Sequence, residues 1–189
     1  FTSSASVQGV SLLANVILAR LLVPTDFGAV ALVVAIIAIL QTFAELGMSV
    51  ALIQREHITH SLIDSAFVAT VLLTLSIASI IWIISPYISF FFKIPVLSDL
   101  LKIAALSYLF TGIFSLHRCL LLRSFRYREI SFIGFGAVVL SSVISVVLAY
   151  QGHGPYSIVW GHFLSGVGSL IAGLWLTKYF PRSFGSFQD

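Results

Sequence analysis

The chain alternates between long apolar runs and short polar connections. Six of the runs are long enough to cross a bilayer: residues 4–22, 28–53, 66–92, 100–122, 130–150 and 156–179. A helix rises about 1.5 Å per residue, so about 20 apolar residues cover roughly 30 Å of hydrocarbon. The runs are continuously apolar instead of alternating over about ten residues, which selects helices over the strands of a closed barrel. The expected fold class is all-α, a polytopic transmembrane six-helix bundle over residues 1–180 followed by a polar linker at 181–189.

The polar residues inside the runs are themselves patterned. Ser4, Gln8, Ser11 and Asn15 follow one another at spacings of four, three and four, one face of the first helix. Such a stripe prefers a neighbouring helix or a water-filled cavity to lipid tails, and the sequence leaves both readings open. In the second helix Gln41, Glu45 and Ser49 repeat every four residues. A carboxylate at that depth costs on the order of 3 kcal/mol, so Glu45 is expected to face the bundle interior, to be paired or to be protonated. It is a candidate for proton or cation coupling, against a plainer role as a structural carboxyl bonded to a neighbouring helix. His162 in the sixth helix is the second titratable candidate, its alternative being ordinary packing. Arg20 lies on a different face from Asn15, and either snorkels to the interface or turns inward toward an anionic ligand. Glycines 9, 112, 134, 136, 161, 166, 168 and 173 are placed to let helices approach closely, and Pro86 removes one backbone hydrogen bond from the third helix.

Charge gives the bundle a direction. The connections after the first, third and fifth helices carry Arg20, Lys93 and Lys102. Those after the second, fourth and sixth carry Arg55, Arg118, Arg123, Arg126, Arg128, Lys178 and Arg182. Cations concentrate on the cytoplasmic side, so both ends of the segment are expected there. Trp82, Tyr87, Phe90, Phe91 and Phe92 then fall at the outer interface, where aromatic rings are favoured. The net charge of +3 is thus a topology signal, and no nucleic-acid partner is expected. With 59% hydrophobic and 9% charged residues and a mean hydropathy of +1.07, the bilayer is the main solvent. The run 118–129, with four arginines, fits positive-inside topology or recognition of a phosphate-bearing lipid head group.

Other chemistry is sparse. Cys119 is the only cysteine, which excludes an intrachain disulfide and a cysteine-rich metal site. His57 and His60 have only Glu56 and Asp64 near them, so neither a metal nor another cofactor is expected. There is no nucleophile elbow, no phosphate-cradling glycine loop and no paired carboxylates at a shared depth. The first helix, interrupted by Asn15 and Arg20, does not read as a signal peptide. Because the chain starts with Phe1 and ends in a linker, a larger protein is expected around it.

The stretch Ala19-Arg20-Leu21-Leu22-Val23-Pro24-Thr25-Asp26-Phe27-Gly28, followed by Glu45-Leu46-Gly47-Met48-Ser49-Val50-Ala51-Leu52-Ile53-Gln54-Arg55, resembles the opening of the bacterial polysaccharide exporter family. These are the oligosaccharide flippases related to the multidrug and toxin extrusion transporters. Leu122-Arg123-Ser124-Phe125-Arg126-Tyr127 and Gly152-His153-Gly154-Pro155-Tyr156-Ser157-Ile158-Val159 are similar to the same family. The resemblance implies the N-terminal lobe of a protein with two six-helix lobes around a central cavity. Such proteins move lipid-linked oligosaccharide from the inner to the outer leaflet of the bacterial inner membrane by alternating access. It implies as partners the bilayer, a second six-helix lobe and the polysaccharide polymerisation machinery. Under this reading Arg20, Arg118 and Arg123 are candidates for the anionic head group, Asn15 and Gln41 for the polar cavity wall, and Glu45 and His162 for ion coupling or gating. A cation-coupled multidrug exporter, a non-transporting subunit of polysaccharide assembly and a membrane enzyme acting on polyprenyl sugars are the other classes. The enzyme would need a large extramembrane loop, and the connections here are short.

Overall fold

A computed structural model describes residues 2–54 and 60–177, and within them the side chains of residues 6–39, 65, 67–122 and 124–177. It is all-helical. The helices are α1 (Thr2–Leu21), α2 (Pro24–Gln54), α3 (His60–Phe92), α4 (Val96–Arg123), α5 (Tyr127–Tyr150) and α6 (Tyr156–Thr177). Among the described residues, α3 to α6 are long and apolar enough to cross a membrane, and the apolar parts of α1 and α2 are the shorter Ser6–Leu21 and Pro24–Ile39. The linker at 181–189 lies outside the described residues.

Several helices start before their apolar run does. For α2 and α4 there is an electrostatic reason: Asp26 and Asp99 sit in their first turns, where a carboxylate meets the positive end of the helix dipole. Pro24 opens α2 at a position where its missing N–H costs nothing, and the Asp26 carboxylate accepts from the Val23 N–H at 3.4 Å. Pro86 stays inside α3, with the helix assigned through it.

Three helices end alike. In α3 the Lys93 N–H donates to the Phe90 carbonyl at 3.2 Å and the Ile94 N–H to Ser89 at 3.2 Å. In α4, Phe125 donates to Leu122 at 3.1 Å and Arg126 to Leu121 at 3.0 Å. In α5, Gly152 donates to Ala149 at 3.0 Å and His153 to Leu148 at 3.2 Å. This pair of bonds closes a helix through one left-handed residue. Gly152 adopts that conformation easily at φ +81°, whereas Lys93 and Phe125, both at φ 55°, bear the Cβ penalty.

Helix α4 is the hub, packing on α2, α3, α5 and α6; α6 also packs on α5, and α1 on α5. Close approach rests on small residues, as the sequence predicts at five of the eight glycines. A methyl group on Gly161 would stand 2.7 Å from the Ser141 carbonyl, and one on Gly173 would stand 2.8 Å from the Phe114 ring. Gly112 abuts Thr74, Gly166 abuts Thr111, and Gly168 abuts Leu140. Gly9, Gly134 and Gly136 have no such neighbour within 4 Å, so they correct that expectation.

The apolar core is concentrated at the end of the bundle that carries the α3–α4 turn. Ala29, Val30 and Val33 of α2, Ile81 of α3, Leu97, Leu100, Leu101, Ala104 and Ala105 of α4, and Val159 of α6 form one buried cluster. Leu18 and Leu22 of α1 pack with Ala149 of α5, Phe27 and Ile158 nearby. Hydroxyls strengthen the same end: Ser89 Oγ donates to the Ile94 carbonyl at 2.8 Å, and the Tyr156 hydroxyl bonds the Asp99 carboxylate.

Candidate functional site: a cavity among α2, α4 and α6

Short connections make consecutive helices reverse direction, so α2, α4 and α6 run parallel. Between them lies a cavity of about 260 Å³. Its α2 wall is apolar, with Val30, Val33, Val34, Ile37 and Ala38. The opposite walls are mixed, with Ser107, Tyr108 and Thr111 from α4 and His162 and Ser165 from α6. An apolar wall facing a few convergent polar groups is the usual make-up of a ligand pocket.

Hydroxyls lining a membrane cavity need partners, and the helix backbone supplies them. Thr111 Oγ1 donates to the Ser107 and Tyr108 carbonyls, both at 3.1 Å. Ser165 Oγ donates to the His162 carbonyl at 2.9 Å. These bonds satisfy the hydroxyl protons and leave oxygen lone pairs toward a guest. Beside the cavity, Gly166 seats α6 against Ser107 and Thr111, which fixes the spacing of the two polar walls.

Exposure changes along the cavity. At the α3–α4 end Val30, Ala104 and Val159 are buried, and at the other end Ala38 and Thr111 are exposed. Along α2 and α4 the cavity is therefore closed at the α3–α4 end and more open toward the α4–α5 turn, while on α6 His162 is exposed and Ser165 buried.

The candidate residues from the sequence divide around this feature. His162 lines the cavity and is exposed to it. The side chains of Gln41, Glu45 and Arg123 lie outside the described residues. The α2 backbone is helical through Gln54, however, and positions 41 and 45 continue the Val30, Val34, Ile37 row at spacings of four. Arg118 is exposed and lies seven residues beyond Thr111, two turns further on the same face of α4. Asn15 and Arg20 are not brought to the cavity. The buried face of α1 is Ala14, Leu18 and Leu22, packed on α5, with Asn15 at its edge. Arg20 lies about 160° around α1 from Leu18, two residues on at 100° each with the turn continuing away from α5, and is exposed.

Sequence reasoning missed two elements here. Ser107 and Thr111 stand four apart in α4, a spacing that could have marked them. Arg126 is taken up structurally: its guanidinium pairs with the Glu129 carboxylate at 2.8 and 2.7 Å and donates to the Leu176 carbonyl at 3.1 Å. It joins the α4–α5 turn to the end of α6, where a cation meets the negative end of the helix dipole. Among the described residues no three His, Cys, Asp or Glu side chains come together as a metal site.

A helical bundle with spanning helices and a cavity open at one end defines a multi-pass membrane protein with an internal binding space. The polysaccharide biosynthesis protein family matches residues 17–189, and the chain belongs to that family. It is 27% identical over 172 residues to the succinoglycan biosynthesis transport protein ExoT of Rhizobium meliloti (strain 1021), covering 91% of this chain. The chain spans about a third of that relative's length, 35%. No solved structure matches it.

Proposed function

We propose that the chain is the N-terminal six-helix lobe of a transporter that flips polyprenyl-pyrophosphate-linked oligosaccharide across the bacterial inner membrane by alternating access. The observation that carries this reading is the cavity among α2, α4 and α6, closed at one end and open toward the arginine-bearing end, in a member of a polysaccharide biosynthesis family. With the arginines cytoplasmic by the positive-inside rule, such a lobe faces the leaflet on which the substrate is made. The name of the relative, a transport protein, favours transport over catalysis.

In this reading the sugar lies against the hydroxyl walls and the phosphates lie near the mouth, where Arg118 and Arg123 supply charge. Paired hydrogen bonds from guanidinium suit a pyrophosphate. Gln41 and Glu45 stand further along the α2 row, with Glu45 and His162 as the groups whose proton occupancy follows the transport cycle. Asn15 and Arg20, turned away from the cavity, belong to the side of α1 that would meet the second lobe or the interface.

The test is genetic and direct. Deletion of the gene is expected to raise lipid-linked oligosaccharide on the cytoplasmic leaflet, and the intact gene to relieve it. Arg118→Gln and His162→Leu, at matched expression, are expected to relieve it poorly. No accumulation in a host with no second flippase would move the assignment to a cation-coupled exporter. Relief by both variants would remove these residues from the path.

A further inference from the structure

The four arginines of the 118–128 stretch do not share one task. Arg126 is held by Glu129 and the Leu176 carbonyl. Arg118 continues the cavity face of α4. Arg123 has no described side chain. Arg128 differs from the others in its surroundings. It is exposed and makes no ion pair among the described residues. It stands four and seven residues before Phe132 and Phe135, so the three share one face of α5. Phe132 is exposed, and Val143 extends the same exposed apolar row toward the bundle's middle. Arg128 thus tops a lipid-facing stripe.

Depth points the same way. With 28 residues α4 is about 42 Å long, which matches the 40–45 Å of a bilayer including its head groups. The turn after it therefore lies in a head-group layer. There Phe125 and Tyr127 meet edge to face with ring centroids 6.1 Å apart, Phe125 being 79% exposed. Phe125 holds this place in the left-handed conformation, where glycine would be easier. No side chain caps α5, so its first N–H groups remain open to an anion.

We infer that Arg128, with Phe125 and Tyr127, forms a site on the membrane-facing side of the α4–α5 turn for the phosphate of an anionic phospholipid. The rings sit at the carbonyl level of the leaflet and the guanidinium takes the phosphate, as a positive charge beside a lipid-facing row requires. The occupant is a bilayer lipid and not the transported carrier, because Arg128 stands on the outer face of α5 and the cavity lies among α2, α4 and α6.

The full-length protein, reconstituted in nanodiscs of phosphatidylcholine with or without phosphatidylglycerol, tests this by thermal melting and by lipid retained in native mass spectrometry. Wild type is expected to retain phosphatidylglycerol and to melt higher in its presence. Arg128→Gln should retain about fivefold less, the effect of one arginine near an anionic surface, and lose the upward shift. Its melting in phosphatidylcholine alone should stay at the wild-type value, which reports on folding. Tyr127→Ala should lower retention in the same direction, and Arg118→Gln should keep both retention and shift. The inference is overturned if Arg128→Gln keeps full retention, or if Arg118→Gln loses as much. Discs holding undecaprenyl diphosphate in place of phosphatidylglycerol form the last arm, and Arg128-dependent retention of that carrier alone would also overturn it.

Discussion

The two ends of this bundle are built from the same three parallel helices, yet one is locked and the other open. At the α3–α4 end, Leu97, Leu100 and Leu101 are fully buried, and Ser89, Asp99 and Tyr156 tie the helix ends together. Toward the α4–α5 end, Thr111 and Ala38 are exposed, and Arg126 crosses from the α4–α5 turn to α6. In lipid no hydrophobic force draws helices together, so close packing and hydrogen bonds decide where a bundle is tight. The locked end has both across α2, α4 and α6; beyond it α4 and α6 stay in close contact at Gly166 and Gly173, and the cavity lies on their α2 side.

The harshest way to break this contrast is to disturb a close α5–α6 contact near the locked end. Gly161 lies on the Ser141 carbonyl and the Ser145 side chain. Gly161→Leu has no space without separating α5 from α6, and should cost about 3 kcal/mol or more. Folded protein should nearly vanish from size-exclusion profiles after detergent extraction. Gly134→Leu, with no neighbour within 4 Å, should remain within about 0.5 kcal/mol of wild type. Equal loss from both would mean that glycine packing does not define the α5–α6 seam.

A milder pair separates the ends themselves. Leu100→Ala removes a side chain that is 0% exposed from the locked end and should cost about 2 kcal/mol. Val34→Ala, at an exposed cavity position, should cost about 0.5 kcal/mol or less. Melting of purified protein in detergent measures both. Similar losses would show that the open end is as tightly packed as the locked one. Arg126→Ala comes next, at about 1 kcal/mol, since the pair with Glu129 is partly solvated, with side chains 41% and 30% exposed. Its signature should be local: faster hydrogen exchange around the α4–α5 turn and the end of α6, with the α3–α4 end unchanged.

How much of this was legible in the sequence depended on period and length. Six helices follow from the long apolar runs, and their ends differ by only a few residues, at the starts of α2 and α4 because the first-turn carboxylates Asp26 and Asp99 extend them. Exposure of Trp82, Tyr87, Phe90 and Phe91 follows from their clustering near the end of α3. The site was less legible. A polar stripe names a helix face but not the neighbour, so Asn15 was grouped with residues that α1 does not approach. Two of the stretches that resemble the exporter family meet in space, the Asp26 carboxylate lying 3.6 Å from where a side chain on Gly154 would begin, and Phe27 and Ile158 packing against the same Leu18, Leu22 and Ala149 cluster. They form a joint between the α1–α2 and α5–α6 turns. Arg126, read as charge for topology, is a latch for the same reason: pairing across 50 residues has no trace in local spacing.

The smallest effect bears on the two turns that flank α4, which share one strained geometry. Lys93 and Phe125 both stand at φ 55°. Glycine there relieves the Cβ conflict while adding freedom to the unfolded chain, so the net gain is about 0.5 to 1 kcal/mol for each. Lys93→Gly should raise the melting temperature by a few degrees in detergent. Phe125→Gly should do the same in detergent, where the ring has no leaflet to enter. In bilayers the two should part: Lys93→Gly keeps its gain, because exposed Phe90 and Phe91 still anchor that interface. Phe125→Gly should lose its gain, because the ring it removes is one of the two at the opposite turn. If both variants gain equally in detergent and in bilayers, Phe125 is no anchor, and the two turns differ only in sequence.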